Sequence, residues 1–240
     1  MKSMLDIIYE DKDKIVVNKP AGQLSQSGKS FDLDLVSEVM AYRKGKGEPA
    51  YAAIINRLDR PVSGLVVMAK NKAAAAKLSN LAHSKVYYAV ICGKPEEDEA
   101  VFVDYLVKNG KDNTSFVADK DTEGAKEARL SYKLLKYNED LNVSLVRIEL
   151  LTGRHHQIRV QFASRNMPLV GDFKYLDNLC QLDSNSIGKN ENLCFNNSID
   201  KVGMQGLMNK IGIKRNTIAL CSCAITVGGL EYTIEAPFTL

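Results

Sequence analysis

The chain has 240 residues, 45% hydrophobic and 25% charged, which excludes a disordered or fibrous protein and supplies a core without disulfide staples. A net charge of +3 excludes a uniformly basic nucleic-acid coat, so an anionic partner would have to be met by a local basic groove. No run approaches the roughly 18 apolar residues of a membrane span, and "MKSMLDIIYEDKDK" has no apolar core of signal-peptide length, so a soluble cytoplasmic protein without membrane contact is expected.

The chain opens as a hairpin. "LDIIYE" and "KIVVNK" are β-rich runs joined by the polar spacer "DKD". "NKPAGQ" then leaves the sheet at Pro20 and Gly22. "FDLDLVSEVMAYRK" has Leu35, Val36, Val39 and Met40 at helical spacing, with Asp32 or Asp34 as its cap. In "INRLDRPVSGLVVMAKN" Pro61 biases Arg60 towards extended backbone, and Gly64 permits a turn before the strand "LVVMA". "NKAAAAKLSNLAH" is Ala-rich and reads as a helix, and "KVYYAVICG" as a strand ending at Gly93.

"EARLSYKLLKY" and "NVSLVRIELL" form a second hairpin across "NED". "TGRHHQIRVQFASRN" reads as a loop entering a helix, with Thr152 a candidate cap and Arg159 on a face with His155 and Phe162. That face is partly apolar, so Arg159 needs a partner. Residues 176–216 are rich in Asn, Ser, Lys and Gly; within them "GMQGLMNKIGIKR" predicts a short helix with Leu207, Met208 and Ile211 on one side. "TIALCSCAITVGGLEYTIEAPF" reads as two strands joined at Gly228-Gly229. The fold class is α+β, a mainly antiparallel central sheet with flanking helices and loops. The five cysteines are odd in number and lack zinc-ligand spacing, so free thiols are expected.

Asp59 stands between Arg57 and Arg60 at the mouth of an apolar strand. Such a cluster is commonly a surface ion pair worth about 0–1 kcal/mol. The functional alternative is a carboxylate kept ionised by neighbouring cations and aimed into a cleft, able to serve as nucleophile or base.

"NRLDRPVSGLVVMAKN" resembles the H-R-L-D-x-x-T-S-G-L motif of the RluA-like pseudouridine synthases. "KVYYAVICG", "LTGRHHQIRVQFA", "PLVGDFKY", "IALCS…EAPF" and the early "VVNKPAGQ" follow that family's blocks in order, over roughly residues 5–176 and 217–240. Several ordered blocks are far more specific than one motif. Asn56, Val62, Gln161 and Cys221 depart from the family's usual His, Thr, His and His. No RNA-binding S4-type domain fits before residue 5, so the resemblance implies one catalytic domain over residues 1–240, with residues 176–216 as an insertion.

The resemblance implies isomerisation of uridine to pseudouridine within RNA, on flipped-out bases of rRNA or tRNA stem-loops, with no cofactor and no metal, by a monomer. Asp59 matches the catalytic aspartate, Tyr87 the tyrosine packed on the target base, and Arg159 the basic partner of the aspartate. Arg57 matches an arginine at the RNA-facing edge; Arg60 and Arg154 join it as expected RNA contacts. Attack on the sugar, stabilisation of positive charge and removal of the 2′ proton are all open to Asp59. His155 and His156 are expected to be structural. Two rival classes remain at this point: an RNA-binding protein without activity, and a glycoside hydrolase, which would need a second carboxylate about 5–9.5 Å from the first.

Overall fold

The computed structural model describes residues 5–27, 34–81, 83–176 and 199–240. Cys180, Cys194, Asp32 and most of the 176–216 insertion lie outside the described residues. The described chain divides into two compact units. The first comprises residues 1–87 and 221–237, the second residues 88–220 and 238–240.

In the first unit, β1 (Asp6–Glu10) and β2 (Lys14–Lys19) form the expected hairpin. β3 (Ala53–Ile54) and β4 (Ser63–Ala69) follow helix α1 (Leu35–Gly45). β4 is buried along its whole length, as a continuous apolar run predicts for a strand covered on both faces. It pairs antiparallel with β2, from Lys14↔Ala69 to Lys19↔Gly64. Near its start it pairs parallel with β10 (Leu220–Val227), Cys221 opposite Ser63 and Ser222 opposite Gly64. β11 (Leu230–Thr233) returns antiparallel on β10 after the Gly228-Gly229 turn. Helix α2 (Lys72–Ser79) lays Ala74 and Leu78 on a core of Val16, Leu65, Val67, Ile225, Val227 and Tyr232. Asp34 caps α1 by accepting the Ser37 N–H at 2.7 Å, and Asn71 caps α2 through the Ala74 N–H at 2.8 Å.

Strand β5 (His83–Cys92) carries the chain from the first unit into the second. There β6 (Glu99–Asn109), β7 (Thr114–Ala118), β8 (Lys126–Asn138) and β9 (Val143–Leu150) make an antiparallel meander in the order β9-β8-β6-β7. β6 and β7 were not foreseen. Helix α3 (Gln157–Ala163) packs on this sheet, with Phe162 edge-on to Phe102 and Tyr132. Thr152 does not cap α3. The position before the helix is His156, in left-handed backbone (φ 52°), while the Thr152 hydroxyl hydrogen-bonds the Gln157 side chain at 2.8 Å. His155 therefore lies outside α3 and shares no helix face with Arg159. Helix α4 (Lys201–Lys210) starts at an Asp200 cap; of the expected side Leu207, Met208 and Ile211, Met208 is buried and the other two are half-buried, and Met204 is buried with it.

Candidate active site

The register of β4 assembles one site in the first unit. Gly64 is the second residue of the buried strand, with Lys19 opposite on β2 and Ser222 opposite on β10. A Cβ at Gly64 would meet Ser222 backbone atoms at 2.5 Å, and its φ is +122°, so only glycine lets the two strands close here. The loop carrying Asp59 feeds directly into this point.

That loop is pinned on both sides of the aspartate. Before it, Asn56 Nδ2 donates to the Leu65 carbonyl at 3.0 Å and Oδ1 accepts the Val67 N–H at 2.8 Å, so a side chain extends the β3–β4 pairing. The Ser25 hydroxyl donates to the Leu58 carbonyl at 2.7 Å and accepts the Leu58 N–H at 3.1 Å. After it, the Val62 N–H closes a turn on the Asp59 carbonyl at 3.1 Å. Arg60 clasps the Pro20–Gln23 loop: its Nε donates to the Gly22 carbonyl at 3.0 Å, and its carbonyl accepts the Gly22 N–H at 2.7 Å.

Lys19 is 0% exposed. Its ammonium donates to the carbonyls of Gln23 at 2.8 Å, Pro20 at 3.0 Å and Arg60 at 3.4 Å. Burial pushes its pKa down to about 8, against the pull of the Asp59 charge in the other direction. Lys19 is thus a buried cation within electrostatic reach of Asp59. Tyr87 is buried on β5, and burial pushes its phenol up to about 12; the Ser222 hydroxyl pulls it down, and the Asp59 charge adds to the rise. Tyr87 therefore stays protonated at neutral pH. Cys221, where the family block often has His, is buried, and its thiol is drawn below its ordinary value by Cys223, with burial opposing and Ser63 assisting.

Arg159 belongs to the second unit and is 5% exposed. Its carboxylate partner in that unit is Asp172, in a two-pronged pair: Nε to Oδ2 at 2.7 Å and Nη2 to Oδ1 at 2.8 Å. Asp172 follows Gly171, whose left-handed backbone (φ +89°) leaves no room for a Cβ beside the Thr217 carbonyl. The guanidinium lies 5.2 Å from the Tyr175 ring centroid. Arg154 is exposed and donates Nε to the Glu127 carbonyl at 2.7 Å, and Arg57 is exposed on the Asp59 loop.

The model of the family described as RNA pseudouridylate synthase matches residues 13–164. The chain belongs to this family. It is 36% identical over 173 residues to the ribosomal large subunit pseudouridine synthase C of Rickettsia conorii (strain ATCC VR-613 / Malish 7), covering 70% of this chain and 55% of the relative. It is 32% identical over 176 residues to the uncharacterized RNA pseudouridine synthase YhcT of Bacillus subtilis (strain 168), covering 71% and 57%. The chain thus spans little more than half the length of these curated relatives. Solved structures of human RNA Pseudouridylate Synthase Domain Containing 1 and 4 share the fold. Each has a TM-score of 0.70, with identities of 22% and 21%, covering 98% and 97% of this chain and 85% and 88% of theirs.

As a pseudouridylate synthase family member, the chain keeps Asp59, Tyr87 and Lys19 in one unit around the mouth of β4. Lys19 lies within "VVNKPAGQ", and the sequence alone assigns it no part. Its signal was a lysine ending an otherwise buried strand, where a surface lysine is the ordinary expectation. Asp172 likewise lies within "PLVGDFKY", where nothing local marks it as a partner of Arg159. His155 and His156, expected to be structural, have these partners: Nδ1 of His155 meets Ser115 Oγ at 2.9 Å, and Nδ1 of His156 meets the Tyr175 hydroxyl at 2.9 Å. Among the described residues, no group of three His, Cys, Asp or Glu side chains is placed to hold a metal ion. No described helix is long and apolar enough to cross a membrane.

Proposed function

We propose that this chain isomerises uridine to pseudouridine in RNA, with large-subunit rRNA as its substrate and Asp59 as the catalytic carboxylate. The observation that carries this reading is the Asp59 loop, pinned before the aspartate to β4 and after it to the Pro20–Gln23 loop, within electrostatic reach of a buried cation, in a chain of this family. In the reaction the N1–C1′ bond breaks, the uracil turns, and C5 bonds to C1′. The C5 proton leaves and N1 gains one, so no outside reagent is consumed.

The geometry supports a division of labour. Lys19 supplies positive charge to the Asp59 carboxylate from within the protein, where a bound nucleotide excludes water. Two unit charges at ~4 Å attract by about 4 kcal/mol at an effective dielectric near 20. The family resemblance, and not this geometry, assigns Arg159 the part of a second counterion; within its own unit Asp172 holds its guanidinium in plane. The Tyr87 ring offers a flat wall for uracil. Its phenol, protonated at neutral pH, donates a hydrogen bond before it can accept a proton. Arg57, Arg60 and Arg154 meet RNA phosphates as the target base is flipped out, a step costing a few kcal/mol. The ribosomal choice follows the relatives called large subunit synthases. Cys92, Cys221 and Cys223 are buried and not joined in disulfides, which accords with work in the reducing cytoplasm.

The test is to incubate purified protein with unmodified large-subunit rRNA transcript and map pseudouridine by carbodiimide adduct and primer extension. Wild type should create a new stop, and Asp59→Ala should abolish it, slowing the reaction by at least about 10²–10⁴-fold. Modification of tRNA transcripts alone would overturn the ribosomal choice. Release of free uracil would mean hydrolysis, and binding without modification would leave an RNA-binding protein.

A further inference from the structure

Arg159 is held from more than one side, by the Asp172 carboxylate and by the Tyr175 ring. Asp172 and Tyr175 stand one turn apart in the same segment, where the Tyr175 N–H donates to the Asp172 carbonyl at 3.3 Å. That turn presents a carboxylate to the edge of the Arg159 guanidinium and an aromatic ring to it at 5.2 Å. Two hydrogen bonds in the plane leave rocking about the line between the charges; a ring against the guanidinium limits that remaining motion.

The ring is itself anchored. Tyr175 is 2% exposed, and its hydroxyl accepts the Ser115 N–H of β7 at 2.9 Å. The same hydroxyl hydrogen-bonds Nδ1 of His156 at 2.9 Å. His156 is the left-handed residue from which α3 departs, and the two rings meet edge-on at 5.6 Å. His155 stacks on His156 at 3.8 Å and returns to β7 through Ser115 Oγ. Tyr175 therefore touches Arg159 at its charged head and, through His156, at the start of the helix that carries it.

We propose that Tyr175 is a positioning residue for Arg159: its ring fixes the guanidinium and its hydroxyl fixes the entry to α3. The proposal rests on the reading that Arg159 serves the uridine isomerisation. Misplacing a participating group by about 1 Å can cost about 10²-fold in rate, so the consequence is on turnover and not on RNA capture.

The experiment compares wild type, Tyr175→Leu, Tyr175→Phe, Arg159→Lys and the Arg159→Lys/Tyr175→Leu double variant in single turnover on the rRNA transcript. RNA affinity and thermal melting are measured alongside. Tyr175→Leu should lower the rate by about 10- to 100-fold with RNA affinity within about twofold of wild type. Tyr175→Phe, which keeps the ring and loses the hydroxyl, should recover part of that loss and no more. The double variant should be no slower than Arg159→Lys alone, because Tyr175 acts through Arg159. A purely structural loss would instead multiply, and that result would overturn the proposal. So would a Tyr175→Leu protein that turns over at the wild-type rate while Arg159→Lys is crippled.

A second measurement is independent of activity. The Arg159 Nε–H resonance, assigned by its absence in Arg159→Lys, should exchange slowly with water in wild type and several-fold faster in Tyr175→Leu. Unchanged exchange would refute positioning directly. If Arg159→Lys turned over normally, the reading of Arg159 would fail, and the exchange data would still judge the part played by Tyr175.

Discussion

Lys19 shows what one residue contributes at this site. A fully buried ammonium is expensive, and three loop carbonyls at 2.8–3.4 Å compensate only partly, since burial still pulls its pKa down to about 8. The sign of the consequence is definite. Below pH 8 Lys19 carries its charge within reach of the Asp59 carboxylate; above it the folded protein releases that proton, and the positive charge is lost. Single-turnover rates measured from pH 6 to 10 should therefore fall on an alkaline limb centred near 8. Lys19→Met should start about tenfold or more slower, the scale of an electrostatic partner lost near reacting charge, and should lack that limb. A Lys19→Met profile with the same limb would assign the titration to another group. The same residue also explains a limit of reading by pattern. A lysine at the end of a strand is ordinarily a solvated terminus, and only the β2–β4 register, which sets it opposite Gly64, reveals that it points inward.

Elements decide how sharply the site can be held, and β4 is the decisive one. Its first residues are gripped by β2 on one side and β10 on the other, with Gly64 at the closest approach. Gly64→Ala would put a Cβ 2.5 Å from Ser222 backbone and force an alanine to φ +122°. Steric overlap and backbone strain each cost about 1–3 kcal/mol. Thermal or urea unfolding should accordingly show Gly64→Ala less stable by about 3 kcal/mol or more, and a loss under 1 kcal/mol would show that β4 and β10 yield easily. The elements around this junction were readable because their signals are local: a continuous apolar run for β4, Asp34 and Asn71 caps for α1 and α2, and the Gly228-Gly229 turn for β10 and β11. β6 was not readable because its outward residues are apolar too. Val101 and Val103 are 55% and 49% exposed while Phe102 and Leu106 are buried, so the alternation that marks a half-buried strand is flattened. The Arg159–Asp172 pair was hidden for a different reason. It spans 13 residues across a left-handed glycine turn, and no period along the chain connects the two.

At the scale of the whole molecule, charge is nearly balanced, and what matters is where it is confined. A second concentration of charge ties α1 to β1 and β4. Glu10 accepts from Lys70 at 2.6 Å, Lys46 at 3.1 Å and the Tyr42 hydroxyl at 2.9 Å, and Glu48 meets Arg43 at 3.0 Å and Lys70 at 3.1 Å. Burial opposes the Glu10 charge, but the hydrogen bonds from Lys70, Lys46 and Tyr42 outweigh it and bring the carboxyl down to about 2. Asp11 is brought to about 2 as well, burial being outweighed by the Lys14 ammonium and the N–H groups of Lys14 and Asp13. Both groups hold a proton less tightly folded than unfolded. Their stabilisation is fully present above the ordinary carboxyl range and disappears as pH falls from about 4.5 to about 2. With solvent screening at this partly accessible cluster, the Glu10 share is about 1–2 kcal/mol. Glu10→Gln should therefore lower stability to urea at pH 7 by about that amount and leave it nearly unchanged at pH 2. The wild-type and Glu10→Gln curves of stability against pH should converge on the acid side. Parallel curves would mean that the cluster is bridged loosely by solvent, and that α1 is fastened by the buried Arg43, whose guanidinium bonds the Tyr51 and Lys70 carbonyls, instead of by Glu10.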